Sequence, residues 1–91
     1  MVPGYPAILG TWPFVSDLRT GAMTGGSGEQ GLLTSACAQM IRYFDLPGGA
    51  ASGMADAKMP DAQSGYEKGS TAVMAGLSGL NMVYESAGMH A

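Results

Sequence analysis

Between Gly10 and Gln30 the chain sets a Trp-Pro-Phe triplet, an Asp/Arg pair, a glycine cluster and a helix start into one short stretch. Trp12 and Phe14 offer ring faces, which attract cations, quaternary ammonium ions included. The same two rings read equally well as buried packing. Asp17 and Arg19 stand close enough to pair with each other. Gly25, Gly26 and Ser27 precede Glu29 at a helix start, where backbone N–H groups can hold an anion. No Gly-Lys-Ser/Thr follows them, which argues against a nucleotide site. Farther on, Ala55-Asp56-Ala57-Lys58 brings a carboxylate and an ammonium to one loop, and a solvated ion pair is the plain reading of that spacing. Tyr84 and Glu85 join a ring to a carboxylate, a combination suited to a trimethylammonium group. Strand alternation lets only one of that pair point inward. His90 reads first as an ordinary polar residue near a chain end. No paired His or Cys spacing of the zinc kind occurs.

Composition narrows the field. A chain of 91 residues allows one small domain, with 46% hydrophobic residues and periodicity that argue against disorder. Fifteen glycines and five prolines make independent folding hard, because each interior glycine weakens an element by roughly 0.5–1 kcal/mol. A formal charge of −3, with four dispersed basic residues, argues against a nucleic-acid footprint. No run is long enough to span a membrane, and no basic segment precedes an apolar one as in a signal peptide. The single Cys37 excludes an internal disulfide, fits a small buried hydrophobe, and goes with a cytoplasmic expectation.

These residues need elements to place them. Residues 7–12 read as a short buried strand between the Pro3-Gly4 turn and Pro13. The loop over 13–26 is long enough to be functional, with residues 15–18 partly extended. Ser27 and Gln30 match a capping box, and Glu29 complements the helix dipole. Leu32, Leu33, Ala36, Cys37, Met40, Tyr43 and Phe44 follow at helical spacing as the buried stripe, ended by Pro47-Gly48-Gly49. Residues 50–55 suit a buried strand of small residues. Asp61 caps a second helix. Its expected buried stripe is Tyr66, Gly69, Val73, Leu77 and Leu80, with Gly69, Ala72, Gly76 and Gly79 letting it lie close to a sheet. Asn81 stops that helix, and residues 82–87 form a third strand. Strands alternating with helices predict an α/β fold with parallel strands and crossover helices. Two strand edges stay open, an arrangement prone to association.

The Gly10–Gln30 run, with ACAQM at 36–40, DLPGG at 45–49, GMADAKMPDAQSGYEKG at 53–69 and NMVYESAGMH at 81–90, resembles the trimethylamine methyltransferase superfamily, glycine betaine branch included. The resemblance implies a (β/α)8 TIM barrel. Such a barrel takes about 250 residues, so 1–91 is expected to be a fragment of one barrel domain, two or three β/α units long, with both ends lying inside a longer protein. It implies methyl transfer from a quaternary or tertiary methylamine such as glycine betaine to a Co(I) corrinoid (cobalamin) on a partner corrinoid protein. The full-length form is expected to be a homo-oligomer, and the isolated fragment to be inactive. Active sites of such barrels lie on the loops leaving the C-terminal strand ends. This places Trp12, Phe14 and Tyr84 at the substrate, Ala55, Asp56 and Glu85 at the chemistry, and Gly25, Gly26 and Ser27 at the corrinoid. His90 becomes a candidate lower cobalt ligand or proton carrier, and no metal is bound by the fragment itself. Trimethylamine-specific members carry pyrrolysine at the position that Ala55 holds. An ordinary residue there implies a branch without pyrrolysine, acting on an amine that already bears its positive charge. Two rival expectations are a small anion- or phosphate-binding α/β module and a non-catalytic fragment that self-associates.

Overall fold

A computed structural model describes residues 2–88. Three parallel strands, β1 (Leu9–Thr11), β4 (Gly48–Ala51) and β5 (Met82–Tyr84), form a sheet in the order β1-β4-β5. Leu9 pairs with Gly48, and Gly49 pairs with Met82. Helix α1 (Gly28–Tyr43) connects the first two strands, and α2 (Ala62–Leu77) connects the second and third. The α/β class and the parallel crossovers follow the alternation in the sequence. Inside the loop after β1, the strands β2 (Val15–Ser16) and β3 (Met23–Thr24) pair antiparallel. The turn between them is held by Asp17, whose carboxylate accepts from the Arg19 N–H at 2.8 Å and the Thr20 hydroxyl at 3.1 Å.

Both helices start as their caps dictate. Ser27 Oγ accepts from the Gln30 N–H, and Asp61 Oδ1 accepts from the Ser64 N–H at 3.0 Å. Removing the second cap by Asp61→Ala is expected to cost about 1 kcal/mol, read as a lower urea midpoint of the full-length protein. The ends differ from expectation. Asp45, at φ 54, takes the left-handed position after α1, with Asp45 N–H bonded to Arg42 O and Leu46 N–H to Ile41 O. That pattern closes the helix by itself. Gly48 and Gly49 are therefore free to begin β4, two residues before the expected strand start. Gly79, at φ 82, turns the chain after α2. Asn81, expected to stop that helix, instead extends the ladder, giving Oδ1 to the Gly48 N–H and its own N–H to Gly48 O, both at 2.9 Å. Strand β5 ends early because Glu85 turns at φ 66.

The largest departure concerns which helix faces are buried. In α1 the covered residues are Gln30, Gly31, Thr34, Ala38 and Ile41, and in α2 they are Ser64, Thr71 and Ala75. The expected stripes lie largely open instead, with Cys37 and Leu80 half-buried. Tyr43 is 79% exposed and Leu77 84%, with Leu32, Leu33, Met40, Phe44, Tyr66 and Val73 exposed as well. The reason is steric. Ile41 fills the place of a side chain at Gly48, and Met74 and Thr71 close over Gly31, so small residues set the contacts between elements. Gly69 and Gly76 meet nothing, and α2 rests on α1 rather than lying against the sheet. The sheet packs against α1, and α1 packs against α2, and the apolar stripes lie away from both contacts.

Candidate active site

All three parallel strands end on the same rim, and the loops leaving it carry the candidate residues. Tyr84 ties the rim together. Its hydroxyl donates to Thr11 O at 3.3 Å, crossing from β5 over β4 to β1. The ring fits because Gly10 and Gly49 lack side chains: a Cβ would stand 3.2 Å from the Tyr84 hydroxyl at the first and 3.0 Å from its ring at the second. Both glycines lie opposite the helix-facing side marked by Gly48 and Ile41. Tyr84 thus lies over the sheet face opposite the helices. Glu85 leaves the strand exposed.

Beyond Thr11, Trp12 and Phe14 lie with ring centroids 5.4 Å apart and planes tilted by 34°. Trp12 keeps 49% of its surface among the described residues. Asp17 and Arg19 approach to 4.0 Å with Arg19 almost wholly exposed, and the carboxylate serves the β2–β3 turn.

The glycine loop is used differently from expectation. Gly25 and Gly26 are buried. Gly26, at φ 88, leaves a space that the Met54 carbonyl occupies, with Ala55 Cα 2.8 Å from where a Cβ would be. The Gly26 N–H donates to Gln30 Oε1, and Gln30 Nε2 donates to Pro13 O at 3.2 Å. In a capping box the Gln side chain returns to the cap residue; here it returns one residue earlier and fastens both ends of the loop to α1. Ser27 Oγ is engaged in the cap. Gly25 and Gly26 are thus packed against the chain's own backbone, and Ser27 serves the helix cap. His90 lies outside the described residues.

The second loop follows β4. Met54 and Ala55 are buried, Asp56 is half-buried, and Lys58 Nζ stands 3.6 Å from Asp56 Oδ1 at the exposed tip. Three side chains of α2 that sequence reasoning passed over hold this loop. Glu67 Oε2 accepts from the Asp56 N–H at 2.9 Å, Thr71 Oγ1 accepts from the Gly53 N–H at 3.2 Å, and Lys68 Nζ donates to Gly53 O at 2.6 Å. Their one available signal was spacing: residues 67, 68 and 71 share a helix face within one turn. The third loop joins the second through Ser86, whose Oγ donates to Ser52 O at 3.2 Å. Gly26 against Ala55, Gly53 against Ser86 and Tyr84 against Thr11 thus bring the three loops into contact. Among the described residues no three His, Cys, Asp or Glu side chains cluster to hold a metal ion, and no helix is long and apolar enough to cross a membrane.

The rim thus carries Trp12 and Tyr84 at the strand ends and Asp56 and Glu85 on the loops beyond them. Comparison with known proteins places the chain in a family. The family model described as trimethylamine methyltransferase (MTTB) matches residues 1–91. The chain is 41% identical over 87 residues to a glycine betaine methyltransferase of Desulfitobacterium hafniense (strain Y51), covering 96% of the chain and 18% of that protein. It is 40% identical over 88 residues to a trimethylamine methyltransferase, MttB, of Methanosarcina barkeri (strain Fusaro / DSM 804), covering 97% of the chain and 18% of that protein. A trimethylamine methyltransferase of Desulfitobacterium hafniense (strain DSM 10664 / DCB-2) is 34% identical over 86 residues, with 94% and 17% covered. The chain thus spans less than a fifth of the length of these curated relatives.

Proposed function

From a chain that belongs to the trimethylamine methyltransferase family, we propose that the protein carrying it demethylates a quaternary methylamine, glycine betaine or a close relative, and passes the methyl group to a Co(I) corrinoid on a partner protein. Identities of 41% and 40% to relatives named for the two amines do not choose between them. The choice rests on Ala55, buried against Gly26, which brings a methyl group to the position where the family resemblance expects pyrrolysine. A neutral tertiary amine gives up a methyl cation equivalent poorly, since its nitrogen would leave as an amide anion. A quaternary ammonium leaves as a neutral amine when the N–CH3 bond breaks, with both bonding electrons staying on nitrogen. The nucleophilic electron pair comes from the acceptor. No proton is required, and no electrophile at residue 55.

The chain's own contribution is orientation. Trp12 and Tyr84 lie on adjoining parts of the rim, and Asp56 and Glu85 supply negative charge on the two neighbouring loops. Cation and ring faces attract by about 0.5–2 kcal/mol each. Holding donor and acceptor in line contributes more, on the order of 7–11 kcal/mol in favourable cases. The phosphate-binding alternative loses two of its donors, because the N–H groups of Gly26 and Gln30 are already given to Gln30 and Ser27.

The test is methyl transfer by the full-length protein, with free cob(I)alamin or a corrinoid protein as acceptor, followed by the cobalt absorbance. Glycine betaine or another quaternary amine is expected to be converted to its tertiary amine, with trimethylamine at least about 100-fold slower, a difference of some 2.7 kcal/mol in barrier. Preference for trimethylamine would overturn the assignment.

A further inference from the structure

We propose that Lys68 is a positioning residue for this reaction, which sets the distance between the loop after β4 and the loop after β5. The inference rests on the methyl-transfer reading above. Lys68 is half-buried in the second turn of α2, and its ammonium donates to two backbone carbonyls, Gly53 O at 2.6 Å and Ser86 O at 2.9 Å. Those carbonyls belong to loops leaving adjacent parallel strands. The backbone bond from Ser52 N–H to Tyr84 O, at 3.1 Å, lies just past the ladder. Farther out, the Ser86 hydroxyl on Ser52 O and the Lys68 ammonium join the loops among the described residues.

The two ties are unequal. A hydroxyl bond is neutral, whereas an ammonium bond to a carbonyl is charge-assisted and roughly twice as strong. Glu67 and Thr71 hold the β4 loop alone, through the Asp56 and Gly53 N–H groups. Lys68 is the α2 side chain that reaches both. One compact ammonium touching both carbonyls fixes their separation, and with it the placement of Ala55 and Asp56 relative to Glu85. A shift of about 1 Å between reacting groups can cost on the order of 100-fold in rate.

The experiment uses the full-length protein with Lys68→Met and Lys68→Arg. In Lys68→Met, kcat for the quaternary amine is expected to fall about 30- to 100-fold with KM changed less than about threefold, because the amine still meets its rings while the loops are misplaced. Lys68→Arg keeps the charge and more than one donor, and is expected to recover to within about tenfold of wild type. Amide hydrogen exchange should quicken in residues 52–57 and 85–88 of Lys68→Met and stay unchanged in α1. A kcat within about twofold of wild type for Lys68→Met overturns the proposal. So does faster exchange throughout α1 and α2 with no recovery in Lys68→Arg, which marks a general structural role. If wild type moves a methyl group from no amine, the functional reading fails, and the loop tie is then decided by the exchange pattern alone.

Discussion

Gly26→Ala is expected to destabilise the full-length protein by about 3 kcal/mol, combining left-handed backbone strain with a clash that cannot be relieved locally. Gly26 sits at φ 88, and its added Cβ would meet the Met54 carbonyl oxygen and carbon and the Ala55 Cα. These are main-chain atoms of the loop that carries Ala55 and Asp56, so relief requires that loop to move. Activity should fall with stability. Gly65→Ala is the control: Gly65 lies within α2 with nothing near its Cβ position, and alanine there should stabilise by about 0.5–1 kcal/mol. Urea unfolding of both variants decides the matter. Equal midpoints for Gly26→Ala and wild type would show that the two loops do not touch.

Gln30→Leu carries the second large expected loss, about 2–4 kcal/mol, for a substitution that shortens the side chain by one atom and removes both polar ends. The Gln30 amide is 2% exposed and serves the Gly26 N–H and Pro13 O. Leucine leaves a buried donor and a part-buried acceptor without partners, which costs more than the hydrogen bonds contribute when made. Gln30→Glu should also lose stability, because a carboxylate turns an oxygen, in place of the amide N–H, toward the Pro13 carbonyl. Since Gly26 and Gln30 act on the same loop, their combined loss should be smaller than the sum of the single losses. A Gln30→Leu midpoint within error of wild type would mean that the loop is held by other contacts.

Local chemistry was legible in the sequence, and so was the order of elements. Ser27 and Asp61 cap helices because a short oxygen-bearing side chain before a helix has few better partners. The alternation of elements gave parallel strands, and the Trp12, Asp56 and Glu85 segments fall on one rim for that reason. What periodicity could not say was which side of each helix meets protein. Leu33 and Leu77 mark apolar stripes correctly, but a stripe does not reveal whether its partner lies within the same 91 residues. The buried sides are built from Gly31, Thr34, Ala38 and Ala75, which a hydrophobicity pattern ranks low and close packing ranks high. The loop-holding roles of Glu67, Lys68 and Thr71 were illegible for a related cause. Each acts through backbone groups 11 to 18 residues away, and backbone groups leave no trace in sequence. Glycines pose the same difficulty. Gly26 reads as room for a visitor, and the room is taken by the chain itself.

The hydrogen bond from Tyr84 to Thr11 joins residues 73 positions apart, whereas the cap from Asp61 to Ser64 joins residues three apart. Closing a longer loop costs more chain entropy, growing with the logarithm of its length. Helix caps and turns can therefore form early, while the tyrosine crossing must wait until both crossovers have delivered their strands. The rim is then the last part of this segment to assemble and among the first to open. Its amides should exchange with solvent through excursions smaller than full unfolding, while those of Ala38 and Ile41 await the loss of the whole core.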